Sequence, residues 1–272
     1  MTDAPDFLRD AVSRRTFLAR MTAAGLGTAA AALIAGCGGS GGSGNSSTPT
    51  NPLTTFADKE NFPGIPGTNE NTVVLNFALT LETLEADLYR QSLNIASGLD
   101  INTPLPTDVS SYMLSVPNGG LDSSTPGGDG TIGYLYLKQY AGVEAAHRDF
   151  LRAALGANAV PANPKGYNLG LAAGTDLKTI LQLIRTVEET GVTAYLGAAG
   201  FLTDASLVQI AASIYSTEAR HSSGMNYILG LPTGPTGDVG GSQPAKDVSA
   251  DEFEYAQTPK AVLAAIRPFF IL

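Results

Sequence analysis

The sequence predicts an all-α protein: a bundle of four long amphipathic helices with long crossover loops, plus a short C-terminal helix. Three observations predict it. Between residues 69 and 230, apolar residues recur at spacings of three and four in four separate stretches, the period of a helix with one buried face. Runs rich in Gly, Pro and Ser separate those stretches and read as connections. The link between the second and third stretches is long, as a bundle with a crossover requires.

The first stretch puts Leu75, Leu79, Glu82, Ala86 and Tyr89 on one face, which predicts a helix from Glu70 to Ser97. The loop from Gly98 to Gly130 is long for a compact domain, so it should lie ordered over the surface or carry function. A second helix is expected from Thr131 to Leu155, striped by Leu137, Tyr140, Glu144, His147 and Leu151 and stopped by Gly156. Residues 157–174 form the next connection. Thr175 or Asp176 can cap a third helix carrying Leu181, Ile184, Glu188, Gly191 and Tyr195, which ends near Gly200 to Leu202. A turn at Thr203 and Asp204 leads to the fourth, whose stripe is Leu207, Ala211, Ile214, Glu218, His221, Met225 and Ile228. Gly230, Pro232 and Gly234 end it. After a polar loop over 231–257, Thr258 as cap and Pro259 at the first helical position predict the short last helix.

Each of the four stripes contains a glutamate where the pattern assigns the core. An ionised buried carboxylate costs several kcal/mol unless it is compensated. No Lys or Arg lies on these stripes, so ion pairing is not the evident compensation. Divalent cations are. Both histidines of the chain, His147 and His221, stand three residues after a stripe glutamate, Glu144 and Glu218. Residues three apart on a helix share a face, so each pair can reach one ion. One Glu-x-x-His is a weak signal; two, using every histidine, with acids in the other two helices, are a strong one. Six side chains result: Glu82, Glu144, His147, Glu188, Glu218 and His221. Carboxylate with imidazole suits Fe or Mn, and the absence of thiolate from the folded part argues against a zinc–sulfur site. Glu85 and Glu189 lie beside Glu82 and Glu188 and are the alternatives to them; the stripes favour Glu82 and Glu188. Glu85, Tyr89 and Glu189 are candidates to surround the ligands, while Tyr89, Tyr140 and Tyr195 also read as core aromatics.

Composition excludes other classes. The formal charge is −9 and charged residues are 15% of the 272, so no basic patch suits a nucleic-acid backbone. The chain has no phosphate-cradling G-x-x-x-x-G-K-[ST], and its glycine clusters read as linkers and loops. Two histidines already used leave little room for a Ser/His/Asp triad.

The N-terminus reads as an export signal. Arg14 and Arg15, then Phe17 and Leu18, precede a weakly apolar run from Met21 to Gly36, short for a membrane span of about 20 apolar residues. This order resembles a bacterial twin-arginine signal. The sequence from Leu33 to Cys37 resembles a lipobox, which would make the one cysteine of the chain, Cys37, a lipidation site; an intramolecular disulfide is excluded. Residues 38–68 read as a flexible Gly-, Ser- and Pro-rich linker, with Gly38 to Pro52 as a tether able to hold a domain off a membrane surface. Cleavage before Cys37 removes four basic and three acidic residues and leaves 12 Lys/Arg against 22 Asp/Glu, a net charge of −10. The expected location is the periplasm or cell envelope, with a membrane surface as partner through the anchor.

The order Glu82, Glu144/His147, Glu188, Glu218/His221 resembles the ferritin-like superfamily, as does Tyr89 seven residues beyond Glu82. The stretches LNFALTLETLEADLYRQSL and VEETGVTAYLGAAGF are similar to an exported branch that includes bacterial proteins of unassigned activity and plant desiccation-related proteins. The resemblance covers about residues 69–230. It implies a carboxylate-bridged pair of Fe or Mn ions and oxidase, ferroxidase or catalase-like chemistry with O2 or H2O2. It equally admits a non-catalytic stress-related envelope protein with a structural bundle. A partner-binding lipoprotein that uses the 98–130 loop is a third reading.

Overall fold

The computed structural model describes residues 60–104, 120–163, 165–234, 254 and 256–271. The twin-arginine segment, Cys37 and the Gly/Ser tract lie outside the described residues, as do parts of the 98–130 and 231–257 loops. Helix α1 runs Glu70–Ala96, α2 Thr131–Leu155, α3 Leu177–Ala199, α4 Ala205–Ile228 and α5 Pro259–Ile266. Among the described residues there is no β-strand, only an isolated bridge between Tyr167 and Phe270. No helix among them is long and apolar enough to cross a membrane.

Side-chain caps set most helix starts by giving an orphan backbone N–H an acceptor. Asn69 Oδ1 accepts from the Thr72 amide at 2.9 Å, Asp176 Oδ1 from Thr179 at 3.0 Å and Asp204 Oδ1 from Ser206 at 2.8 Å. Thr258 caps α5 with Pro259 behind it. Of the two residues able to cap α3, Asp176 does so. Helix α2 stops at Gly156, whose φ of 53° lies in the left-handed region open to glycine.

The connection between α2 and α3 crosses the bundle lengthwise along α1. Its start is tied to the first half of α1, where Asn76 Nδ2 donates to the Asn158 carbonyl at 2.9 Å and Asn76 Oδ1 accepts from the Val160 amide at 2.6 Å. Its middle is tied to the far end, where Gln91 Nε2 donates to the Tyr167 carbonyl at 3.3 Å. Asn76 and Gln91 are about four helical turns apart. Helix α3 therefore starts beside the end of α1 and runs back antiparallel to it, and the Thr203 amide after α3 returns to Asn71 at 2.9 Å. Helix α2 then runs parallel to α3, and α4 parallel to α1. This direction of travel brings the midpoints of all four helices to one level.

The apolar interior falls into two clusters. One, near the start of α1 and the end of α3, contains Leu75, Leu79, Leu151, Tyr195, Leu207 and Ile214. The larger contains Leu84, Leu88, Leu93, Leu137, Ile180, Leu181, Ile184 and Met225. The C-terminal segment packs on α3: Gln257 donates its amide to the Thr193 carbonyl at 3.0 Å, and Val262 and Ile266 are buried. Gly197 permits this, because a Cβ there would lie 1.7 Å from the Gln257 carbonyl oxygen.

Candidate metal centre

All six side chains singled out by the stripes meet in the middle of the bundle. Glu82 comes from α1, Glu144 and His147 from α2, Glu188 from α3, and Glu218 and His221 from α4. Glu82, Glu144 and Glu218 have no exposed surface, Glu188 and His221 have 1% and His147 8%. Their donor atoms form two groups, each with all atoms within 4.8 Å of one another. Glu82, Glu144, His147 and Glu218 make the first; Glu144, Glu188, Glu218 and His221 make the second. Glu144 and Glu218 belong to both, and each group adds one glutamate and one histidine of its own.

Both histidines turn Nδ1 to the carboxylates. His147 Nδ1 lies 3.3 Å from Glu82 Oε2, 3.2 Å from Glu144 Oε2 and 3.4 Å from Glu218 Oε1. His221 Nδ1 lies 2.6 Å from Glu144 Oε1 and 3.5 Å from Glu188 Oε1. The 2.6 Å contact is at ion-pair distance without hydrogen-bond alignment.

Two tyrosines hold the glutamates that are not shared, and they do so crosswise. Tyr195 of α3 donates its hydroxyl to Glu82 Oε1 of α1 at 2.5 Å, and Tyr89 of α1 donates to Glu188 Oε1 of α3. Each tyrosine stands seven residues beyond the glutamate of its own helix. From sequence Tyr195 reads only as a core aromatic, whereas Tyr89 is also a candidate to surround the ligands; the structure makes both hydrogen-bond donors. The signal for Tyr195 was the repeat of the spacing from Glu82 to Tyr89.

The two ambiguous acids part company. Glu189 turns to α4, where Ser222 Oγ donates to it at 2.5 Å and Asn226 Nδ2 at 3.2 Å. Arg185 Nε in turn donates to Asn226 Oδ1 at 2.6 Å. Protein donors satisfy this carboxylate. Glu85 is buried beside the cluster but belongs to neither group, and its Oε2 has no hydrogen-bond partner among the described residues. Gly191 makes room for it: a Cβ there would lie 2.9 Å from Glu85 Oε1 and 3.3 Å from Glu218 Oε2. Gly191 is three residues after Glu188, as Glu85 is three after Glu82; sequence places it on the inward stripe but does not show what it makes room for.

Crowding of like charges shows in the titration of the groups. Burial pushes the Glu82 carboxyl up to about 7 against the pull of His147. Burial, then Glu144, Glu188, Glu82 and Glu85, hold Glu218 well above the usual carboxylate range. Glu85 is likewise raised, by burial and then by Glu82, Glu188 and Glu144. Burial also acts to raise Glu144, but His221 and His147 flank it and together hold it below its ordinary value. Burial lowers His221, and Glu188 and Glu144 outweigh that and lift it to about 10. His147 is raised well above its usual value against the same opposition, by Glu82 and Glu144.

The span from residue 70 to residue 231, all of α1 to α4, matches the family model of the ferritin-like domain. The chain belongs to the ferritin-like domain family. It has no match among curated proteins.

The donor set of this ferritin-like domain fits a metal site. Glu82 Oε2, Glu144 Oε1, Glu188 Oε2, both oxygens of Glu218 and both ring nitrogens of His221 are buried with no hydrogen-bond partner among the described residues. Buried polar atoms are normally paired, and a cluster of orphans this dense needs a cation or protons to balance it. Carboxylate oxygen and imidazole nitrogen are donors that suit a metal ion. Two four-residue groups sharing two carboxylates are compatible with a dinuclear site, the layout seen in ferritin-like bundles.

Proposed function

We propose that this ferritin-like domain holds two iron or manganese ions and reacts there with dioxygen or peroxide. One observation carries the reading: the two donor groups overlap in Glu144 and Glu218 and in nothing else. Glu144 and Glu218 would serve both ions, Glu82 with His147 would complete the set for one, and Glu188 with His221 the set for the other. Four ionised glutamates balance two divalent cations, so the bundle needs no other counter-charge at its centre. Such a metal pair, when bound, would supply two electrons, enough to reduce O2 to peroxide or one H2O2 to water, and in disproportionation a second H2O2 would return them.

The chain's own residues orient and insulate. The Tyr195 and Tyr89 hydroxyls fix the unshared glutamates, as partners of metal-binding side chains do. The apolar side chains packed around the centre lower its polarity and strengthen electrostatic interactions within it. We also propose that the domain acts in the cell envelope, exported by the twin-arginine segment and anchored through Cys37; the order of residues 14–37 supports this.

The test is metal analysis of the full chain, followed by oxidant consumption. Two equivalents of Fe or Mn and turnover of O2 or H2O2 are expected. Two equivalents without turnover would favour a structural bundle in a stress-related protein. Protein that stays free of metal after incubation with Fe(II) and with Mn(II) would overturn the dinuclear reading.

A further inference from the structure

An apolar cavity lies one helical turn from the first donor group, between α1, α3 and α4 with Leu151 of α2. We infer that it binds a small apolar molecule, dioxygen by size and chemistry, and delivers it to the Glu82–His147 side of the centre. The inference rests on the dinuclear reading and narrows it to one oxidant.

The placement follows from helix geometry. Ala78 stands four residues before Glu82, Ile214 four before Glu218 and Leu151 four after His147, and all three line the cavity. Residues four apart on a helix stack on one face, one turn along. Since α2 runs opposite to α1 and α4, these steps all lead the same way along the bundle. The three reference residues belong to the first donor group. Tyr195 adds its ring to the wall and gives its hydroxyl to Glu82 at 2.5 Å, so one side chain touches both the cavity and the carboxylate.

The wall selects for the ligand. Apart from the Tyr195 hydroxyl, committed to Glu82, every lining side chain is aliphatic or aromatic. Water or hydrogen peroxide would give up hydrogen bonds on entry, at a cost of a few kcal/mol for each unpaired polar group. Dioxygen has none to give up. The volume is about 20 Å3, room for one molecule near the size of water, and apolar cavities stay dry. Alanines at 78, 198, 199 and 211 leave the space. Burial is graded along it: Ala78, Leu151 and Ile214 at the inner end are buried, while Ala199 and Ala211 are only half-buried. The cavity thus leads from the surface toward Glu82.

The first measurement uses the full chain stripped of metal by chelation, with Leu and Ile methyl groups labelled. Methyl relaxation is recorded by NMR under nitrogen and under pressurised dioxygen, which is paramagnetic. Leu151 and Ile214 should show enhancements several-fold above those of Leu93, Ile180 and Leu181, which are as deeply buried beyond the carboxylate layer. Equal enhancement in the two sets overturns the inference. The second measurement loads Fe(II) and follows its oxidation. Ala211→Leu, which fills the half-buried end, should slow oxidation by dioxygen several-fold and leave oxidation by hydrogen peroxide unchanged. Equal slowing by both oxidants would also overturn it. Ile214→Val, a milder change that enlarges the cavity, should raise the relaxation effect and covers the case in which Ala211→Leu misfolds. Selective relaxation in protein that binds no metal would leave the cavity standing and remove the dinuclear reading, so the two fail separately.

Discussion

Helices α1 and α2 on one side, and α3 and α4 on the other, carry the same chemistry in the same order and set it in different surroundings. Each half has a glutamate with a tyrosine seven residues on, followed by a helix with Glu-x-x-His. Each half's tyrosine serves the other half's glutamate. Beyond that the likeness stops. The Glu82–His147 side backs onto the apolar cavity. On the Glu188–His221 side, the His221 ring stacks on Tyr140 with centroids 3.7 Å apart, and Tyr140 meets Tyr136 edge-on at 5.3 Å. There His221 and Tyr140 line a wide groove that also includes Arg220 and Glu254. At the third residue past the glutamate, α1 has Glu85 and α3 has Gly191. On the proposed dinuclear reading, two like ions ask the same of both halves, and the donor groups that face the centre match. The groups one turn away are free of that demand, and there the halves diverge.

The largest effect should separate shared from unshared glutamates. Glu144→Ala or Glu218→Ala removes a carboxylate from both groups and should take the metal content from two ions to none. His147→Ala or His221→Ala should remove one ion each, read by elemental analysis. Glu144→Ala protein that retains a full equivalent would show the halves to be independent and break the comparison.

Acidity comes next. In chelated protein His221 has a folded pKa of about 10, above the ordinary 6.5. A raised folded value contributes stability that is complete below pH 6.5 and is lost as pH rises through about 10. Glu82, raised from 4.5 to about 7, acts in the same direction over pH 4.5 to 7. The unfolding temperature of chelated protein should therefore fall as pH rises from 4.5 to 10. Metal replaces the protons, so loaded protein should lose most of this dependence over pH 7 to 10. Parallel curves for the two forms would show that the cluster binds no cation.

A smaller effect tests the crossed tyrosines. Tyr195→Phe should weaken one ion and Tyr89→Phe the other, each by roughly 10–100-fold in affinity. Titration calorimetry with Mn(II) resolves which binding event weakens, and the same event weakening in both variants would contradict the crosswise arrangement. The smallest concerns Gly191. A methyl group there meets Glu85 and Glu218 at 2.9 and 3.3 Å, so Gly191→Ala should destabilise by about 1–3 kcal/mol in denaturant unfolding. Adding Glu85→Ala should restore most of it. Failure of that rescue would place the strain elsewhere.

Much of this was legible in the chain. The spacing of Leu207, Ile214, Glu218, His221 and Met225 revealed the buried face of α4, and Asp176 and Thr258 announced helix starts by residue type. Glu188 could be preferred to Glu189 because only one of two neighbours fits a stripe. Two further features were not legible. Nothing local says that Tyr195 reaches Glu82, because 113 residues separate them and only the antiparallel course of α3 against α1 brings them together. Nor does Gly191 announce that it clears space for Glu85, since periodicity tells which face a residue occupies and is silent on what lies opposite.

The sequence by itself determined the four helices, their inward faces and the six donor side chains, because helical period and side-chain chemistry are local properties. Tertiary structure alone decided that Glu144 and Glu218 are shared, that the tyrosines cross over and that one half opens on an apolar cavity. Those depend on the direction in which the 156–176 connection carries the chain along α1, and on how side chains from four helices divide one small volume.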